Sequence, residues 1–482
     1  MLRRPSVLTK SWKIALRSAG TATATAVAAV AVLVALAAAT GSAQAQSAAA
    51  PPAATDARAL LDGYVAEALG ANLAIAQQTA ALRRAEAGVR EAGGRFMPSL
   101  GVNARYSELS GVVNIGDFIN PAYDALNQLI GQQRFPTDVS ATLPFRQETK
   151  LDLTLPLFND ALFAARAAAR AQRDLVGSTR QAARRQLAAD VQQAWLGYAT
   201  AARAVEVFEA TLPVLDENLR VSERLIGAGQ ATPDVLLRAR AERSDVLQQL
   251  AEARRQRDAA QRGFNLLRNR EPDAPITLVS DSTLLTVPSF DRAALTARAL
   301  GRREELAQTA AGITAAEAQE RLATAAFLPS LTLAASYGVQ GNRYRFDQNN
   351  DVGLASLVLS WNLFNGTQDA ARREQARAAR DEATWRQREV ALGVRVQVAN
   401  AIDAVEAARS TLTTADDRFA SAERAFMLVQ RRYAEGLATP VDFLGARAAY
   451  TSAALNQVIT RFAFASRVVE LERVAALRTL GD

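Results

Sequence analysis

Hydrophobic residues recur every seven positions in two long stretches of this chain, 207 residues apart. The repeated positions are Val191, Tyr198, Val205, Leu212, Leu219 and Ile226, then Val398, Val405, Leu412, Phe419, Phe426 and Tyr433. In the second stretch small residues follow three positions after four of them, at Ala401, Ala408, Ala415 and Ala422. A sustained seven-residue repeat predicts supercoiled helices, and the alanines allow neighbouring helices to approach closely.

The predicted helices are very long. Asn159 and Gly229 are 70 residues apart, and a continuous helix of that length spans about 105 Å. Pro213 leaves the seven-residue repeat in register on both sides. Asn159 and Asn365, which end the matching fragments "LFN", are expected to be the N-caps of the two long helices.

Each long helix ends at a similar turn, "GQATP" or "GLATP". The turn residues are Gly229, Thr232, Pro233 and Asp234 in the first half, and Gly436, Thr439, Pro440 and Asp442 in the second. The threonines are expected to cap a new helix that has proline at its first position and a carboxylate in its first turn. A returning helix of roughly 35 to 40 residues is predicted in each half.

Two segments of alternating apolar and polar residues precede each long helix. The apolar members are Leu100, Val102, Ala104 and Tyr106, then Leu151, Leu153, Leu155 and Leu157, in the first half, and Leu331, Leu333, Ala335 and Tyr337, then Leu357, Leu359, Trp361 and Leu363, in the second. This period of two predicts one pair of strands per half. Residues 112–136 have no counterpart in the second half, and we expect a long loop there, or a loop with a short helix.

The chain is therefore an internal duplication. "FMPSL" at Phe96 and "FLPSL" at Phe327 lie 231 residues apart, and the strand ends and turns follow in the same order in both halves. We predict a first repeat over 58–270, built of a helix, a strand pair, the long helix, the tip turn and the returning helix. A connector over 271–290 and a second repeat over 291–482 complete the chain.

The first 45 residues have the three parts of a signal peptide: a basic start, an apolar run and the cleavage site "AQA". An uncleaved membrane anchor is the alternative, but the apolar run is shorter than the ~20 residues that a spanning helix needs. Residues 46–57 are expected to be a flexible lead. Without the five basic residues of the signal, 51 basic residues oppose 49 acidic ones. The resulting net charge of +2, without a basic cluster, argues against nucleic-acid binding.

Candidate chemistry is sparse. The chain has no cysteine and no histidine, so it lacks the commonest metal ligands and the commonest general base. Its three lysines do not lie in a phosphate-binding glycine loop. We therefore expect neither an enzyme nor a cofactor. The strands raise a further question, because a four-stranded sheet has two open edges, which a lipid bilayer does not tolerate. If these strands span a membrane, several copies must combine them.

The duplicated order of "F-x-P-S-L" strand, "L-F-N" strand end, heptad helix and "G-x-A-T-P" turn resembles the TolC family of outer-membrane efflux and secretion channels. The resemblance implies a homotrimer whose twelve strands form one β-barrel in the outer membrane, continued by an α-helical barrel across the periplasm. It also implies a passive exit duct for efflux or type I secretion, which docks to a periplasmic adaptor and an inner-membrane pump of RND or ABC type. A periplasmic coiled-coil scaffold or adaptor without a pore remains the alternative.

The resemblance also suggests site residues, each of which has a simpler explanation. Asp442 matches an acidic residue that constricts the periplasmic tip, with Asp234 as its first-half counterpart, but both also suit helix capping. Tyr433 matches a tyrosine that holds the tip closed, or is the last position of the heptad repeat. The adaptor-contact candidates Gly229, Thr232, Gly436 and Thr439 are also ordinary turn residues. Tyr106, Tyr337 and Trp361 are membrane-interface candidates, or packed strand residues.

Overall fold

A computed structural model describes residues 57–108, 113–140, 146–279, 290–341 and 350–479. The predicted signal peptide, nearly all of the flexible lead and residues 280–289 of the connector lie outside the described residues. The described connector residues 271–279 form neither helix nor strand.

Each half of the chain follows the same order of elements. The first half contains α1 (Ala57–Ala71), α2 (Leu73–Gly94), β1 (Ser99–Tyr106), α3 (Gly116–Ile130), β2 (Gln147–Phe158), α4 (Asp160–Gly227) and α5 (Pro233–Leu267). The second half contains α6 (Arg292–Arg302), α7 (Glu304–Ala325), β3 (Ser330–Gly341), β4 (Asp351–Ser360), α8 (Gln368–Ala434) and α9 (Pro440–Val474). Among the described elements only α3 lacks a counterpart, and it lies in the insertion, where a long loop or a loop with a short helix was expected.

The long helices confirm the heptad prediction. α4 has 68 residues and α8 has 67, which corresponds to about 100 Å. Pro213 lies inside α4 without ending it. All twelve heptad positions are buried or half-buried, because they face the neighbouring helices. The returning helices α5 and α9 have 35 residues each, as predicted.

The two long helices begin differently. Asn159 caps α4, and its side chain accepts the backbone N–H of Ala161 at 3.0 Å. The expectation that Asn365 caps α8 was wrong, because that helix begins at Gln368 with Thr367 as its N-cap. The reason is Gly366, whose φ of +61° interrupts the path into the helix directly after Asn365.

The strands form one antiparallel sheet in the order β1-β2-β3-β4. Apolar residues face each other across it, in rows such as Leu100, Leu153, Ala335 and Ala355, or Val102, Leu151, Tyr337 and Gly353. The opposite face carries polar rows such as Asn103 and Lys150, or Arg105 and Glu148, with Val352, Leu354 and Val358 as apolar exceptions. The sheet therefore has one apolar and one largely polar face.

This sheet is not covered by the rest of the described chain. β1 is exposed along its whole length and β4 along most of it. Within the described residues, neither β1 nor β4 has a second strand partner, so both edges are open.

The hydrophobic core lies along the middle of the long helices, where α1, α6 and the ends of α5 and α9 pack against α4 and α8. Trp195 of α4 is fully buried there, and its indole Nε1 donates to the carbonyl of Thr277 in the connector at 3.2 Å. Tyr64 of α1 accepts the backbone N–H of Thr277 at 3.1 Å. The connector is thus attached to the core of the first half.

In the described part of the chain, no individual helix is both long and apolar enough to cross a bilayer. Only the consecutive helices α1 and α2, bent by 50° between them, meet the length and composition criteria together.

Candidate functional site

The turns that join α4 to α5 and α8 to α9 lie beside each other at one end of the helices. Together they border a cleft of about 1140 Å³. Five of the candidate site residues line this cleft, namely Gly229, Thr232, Tyr433, Gly436 and Thr439, whereas the gate candidates Asp234 and Asp442 are not among its lining residues. The structure therefore brings candidates from both halves into one region, which we call the tip.

Both long helices end in the same way, at a turn that contains a glycine with a left-handed backbone. Gly229 and Gly436 have φ values of +68° and +73°, which glycine adopts without a Cβ clash. The next amide then reaches back to the helix: Gln230 N–H bonds the Leu225 carbonyl at 2.8 Å, and Leu437 N–H bonds the Arg432 carbonyl at 2.7 Å. Chain reversal alone accounts for both glycines.

The two turns start the returning helices differently. Thr439 and Asp442 form a complete capping box: the Asp442 N–H bonds Thr439 Oγ1 at 3.1 Å, and the Thr439 N–H bonds Asp442 Oδ2 at 3.1 Å. Thr232 is also an N-cap residue, but its side chain makes no bond to the helix backbone. Its hydroxyl donates to Asp234 instead. The cause is a shift of the carboxylate by one residue. Asp442 is the third helical residue of α9, the position that completes a capping box, whereas Asp234 is the second helical residue of α5 and Val235 is the third.

Hydrogen bonds keep both exposed tip carboxylates ionised. The Thr439 hydroxyl and backbone N–H, followed by the nearby Arg432 charge, lower the pKa of Asp442. The Thr232 hydroxyl, followed by Arg238, lowers the pKa of Asp234. Because a lowered pKa favours the charged form, the stabilisation is complete above the ordinary carboxyl pKa and is lost progressively as the pH falls from that value to the lowered pKa. The tip therefore keeps its negative charges in mildly acidic solution.

We expect Thr439→Ala to weaken the start of α9 by about 1 kcal/mol, the usual cost of losing an N-cap side chain. The amide of Asp442 loses its hydroxyl acceptor, so its hydrogen exchange should accelerate about five-fold. Thr232→Ala is the matched control and should leave the amide of Val235 almost unchanged. Equal acceleration in both helices would contradict the structural difference between the two caps.

Tyr433 joins the two halves of the tip. Its hydroxyl donates to Asn218 Oδ1 of α4 at 3.1 Å, and its ring stacks on Phe443 of α9 with 4.8 Å between the centroids. Burial raises the pKa of Tyr433, so the hydroxyl stays a neutral donor at ordinary pH. Ile226 occupies the corresponding position in the first half and makes no such bond.

An ion pair that the sequence did not reveal lies two turns above the tip. Arg447 of α9 is only 3% exposed, and its guanidinium bonds the carboxylate of Glu242 on α5. Nearby, the hydroxyls of Thr211 on α4 and Thr451 on α9 lie 3.5 Å apart. These contacts tie the second returning helix to the first half. No local signal could have identified the ion pair, because its partners are 205 residues apart in the chain.

The membrane-interface candidates lie on the sheet. Tyr106 ends β1 on the side of α3, whereas Trp361 follows the last residue of β4 on the side of the long helices. The Trp361 Nε1 donates to the Phe327 carbonyl at 3.1 Å. Tyr337 lies between these ends, opposite Leu151. All three side chains are more than half exposed.

Comparison with known proteins supports the resemblance found in the sequence. The pyoverdine export outer membrane protein OpmQ of Pseudomonas putida is 27% identical over 248 residues, which cover 48% of this chain and 52% of that protein. The match thus spans about half the length of this curated relative.

Two solved structures have the same fold. VceC of Vibrio cholerae superposes with a TM-score of 0.70 at 22% identity, covering 86% of this chain and 95% of that one. The CmeC outer membrane channel of Campylobacter jejuni gives a TM-score of 0.72 at 16% identity, covering 86% and 85%. The predicted fold class, mainly helical with a small sheet in a duplicated chain, is confirmed.

The family described as outer membrane efflux protein matches residues 64–267 and 295–476, one segment in each half. These segments contain the tip, the sheet and most of the core. The chain therefore belongs to the outer membrane efflux protein family.

Proposed function

We propose that this protein is a passive exit duct of the outer membrane, formed by three copies of the chain. Four strands from each copy close a twelve-stranded barrel, and the long helices continue it as a tube into the periplasm. The two repeats, over 58–270 and 291–482, supply equivalent halves of each copy's wall. Family membership supports the outer-membrane location.

The single observation that carries this proposal is the sheet, which is open at both edges and apolar on one face. Leu100 and Val102 of β1 and Leu357 of β4 are each more than 60% exposed in the isolated chain. Unpaired strand edges and such a face are unfavourable in a monomer, whether in water or in lipid. Closure of several sheets into one barrel pairs the edges and turns the apolar face toward lipid. The 12 residues of β2 and β3 exceed the 9 to 11 that a tilted membrane strand needs.

The partners we propose are a periplasmic adaptor and an inner-membrane pump of RND or ABC type, which would supply the energy for a passive duct. The cleft at the tip, with Gly229, Thr232, Gly436 and Thr439 on its border, is the proposed adaptor contact. Asp442 and Asp234, with Tyr433, are the proposed gate residues. We propose efflux as the process, which is what the family description and the name of the relative OpmQ support.

Single-channel conductance in a planar bilayer tests the duct and its acidic mouth together. We expect cation-selective steps from the purified protein, because a ring of Asp442 carboxylates attracts cations. Asp442→Asn removes the charge but keeps an oxygen that can accept the Thr439 bonds, so selectivity should fall while the helix start is retained. Asp417→Asn is the control, an exposed carboxylate of α8 about 25 Å from the tip.

The outcomes separate the candidate functions. If Asp442→Asn leaves the selectivity unchanged, the duct stands and Asp442 serves only as a helix cap. If well-folded trimers give no steps, a periplasmic scaffold becomes the better explanation. Release of the protein with the soluble periplasmic contents would contradict the duct directly.

A further inference from the structure

Helix α3 is attached to the chain through one face. Asn120 and Asn127 lie two turns apart on that face. Both form hydrogen bonds to residues 131–140, the described segment that leads back towards β2 and that we call the return segment. The Asn120 amide bonds both the N–H and the carbonyl of Val139 at 2.9 Å. Asn127 donates to the Phe135 carbonyl at 2.7 Å and accepts the Phe135 N–H at 2.9 Å.

Close packing reinforces these hydrogen bonds. A Cβ atom at Gly116 would lie 1.7 Å from the Val139 carbonyl oxygen, so only glycine allows this approach. The Tyr123 ring contacts the Phe135 ring at a centroid distance of 5.4 Å. The insertion is therefore a defined substructure in which the rotation of α3 relative to the return segment is fixed.

The opposite face of α3 is an uncovered apolar stripe. Phe118 and Leu129 are three turns apart on this stripe and are 73% and 84% exposed. The remaining exposed members are Ile115, Leu126 and Ile130. A stripe of this length on a rigidly held helix normally packs against a partner, because it is too apolar for water.

The charge of the insertion argues against a lipid surface as that partner. Gly116–Ile130 contains Asp117 and Asp124 and no basic residue. The return segment adds Asp138 and Arg134. Helices that lie on anionic membranes carry lysine or arginine on their polar face, which gains from the lipid charge. The two carboxylates of α3 would instead be repelled.

The open sheet edges point to a second copy of the chain. α3 lies between the end of β1 and the start of β2, on the side of the sheet away from the long helices. Any copy that pairs with a free edge of β1 or β4 brings its own α3 to the same end of the assembly. In a ring of three identical copies, identical residues meet only at the three-fold axis, so the α3 stripes contact one another where they converge on that axis.

We propose that the α3 stripes of the three copies pack against one another around the barrel axis and cover the outer mouth of the duct. This inference rests on the trimeric barrel of the proposed function. The proposal places a second constriction at the end of the duct opposite the tip, formed by the apolar side chains of α3. A duct closed in this way has one apolar closure outside and one charged mouth inside.

Cysteine cross-linking tests the packing directly, because the chain contains no cysteine of its own. In Leu129→Cys, mild oxidation of purified trimers should join two copies of the chain by a disulfide, leaving one thiol of the three free. Asp124→Cys is the matched control on the polar side of the same helix, and we expect no covalent dimer from it. Phe118→Ser with Leu129→Ser should in addition raise the single-channel conductance.

Each result has a distinct meaning. Trimers without a disulfide at position 129, or with equal disulfide formation at positions 124 and 129, overturn the α3 contact and leave the duct intact. Quenching of a fluorophore at position 129 by nitroxide-labelled lipid would overturn it in favour of the membrane. Absence of trimers overturns the proposed function, and the α3 contact with it.

Discussion

Glu242→Ala is expected to detach α9 from α5 and to accelerate hydrogen exchange in α9 around Arg447 by a factor of 100 or more. The substitution leaves the guanidinium of Arg447 in place without its carboxylate, in a position that is 3% exposed. Removal of one partner from a buried ion pair costs about 3 to 5 kcal/mol, because the remaining charge stays desolvated. Burial already lowers the pKa of Arg447, which reports the same desolvation.

The functional consequence is also measurable. With this attachment lost, the hairpin of α8 and α9 is held to the first half near the tip by the Tyr433 hydroxyl, by the contact between Thr211 and Thr451 and by helix packing. We therefore expect Glu242→Ala to increase the conductance and the frequency of open events in planar bilayers.

Two controls make this prediction specific. Glu252→Ala removes a carboxylate of the same helix that pairs with Arg255 at the surface, and it should change little, because exposed pairs contribute weakly. Glu242→Gln combined with Arg447→Met removes both charges and should recover most of the lost protection. If hydrogen exchange in α9 is as fast in the double variant as in Glu242→Ala, the unpaired buried charge is not the cause of the faster exchange.

If the chain forms the proposed trimeric barrel, Leu153→Arg is expected to abolish heat-modifiable trimers in the outer-membrane fraction. Leu153 lies near the middle of β2 on the apolar face, between Leu100 and Ala335 of the neighbouring strands. An arginine on the lipid side of a membrane barrel costs about 2 to 4 kcal/mol near the midplane, and a trimer incurs this cost three times. Trimer content on semi-native gels is the measurement.

The next residue along the strand provides the control. Thr154 faces the other side of the sheet, opposite Ser99 and Ala334. Thr154→Arg should therefore leave the trimer content near that of the unmodified protein, since its charge would face the polar interior of the proposed barrel. Equal loss in both variants would mean that neither face contacts lipid, which would argue against the membrane barrel.

The regular parts of this fold follow from patterns that are local in the sequence. The heptad repeat predicts α4 and α8 because it continues for many turns, and Pro213 does not interrupt its phase. The alternating apolar residues predict the four strands and the face that each residue occupies, except that β4 ends at Ser360 and leaves Trp361 and Leu363 outside it. The failure at Asn365 is also local: its side chain suits an N-cap, but the left-handed Gly366 beside it delays the helix.

The contacts at the tip could be predicted only in part. The turn sequences identify Gly229 and Gly436, whose left-handed backbone needs glycine. They do not distinguish a capping box at Thr439 from its absence at Thr232, because that depends on a one-residue shift of the following carboxylate. The bond from Tyr433 to Asn218 joins residues 215 apart, so only the fold reveals it.

The two helical hairpins have matched lengths, and together they set the distance between the sheet and the tip. Helices of 68 and 67 residues, returning as helices of 35 and 35, bring both turns to the same level. One heptad corresponds to about 10.5 Å of helix. A deletion of one heptad in a single half would leave the two turns at different heights, and the cleft between them would be lost. Any evolutionary change in the distance that this chain spans must therefore occur twice, by the same amount, in segments of the gene about 200 codons apart.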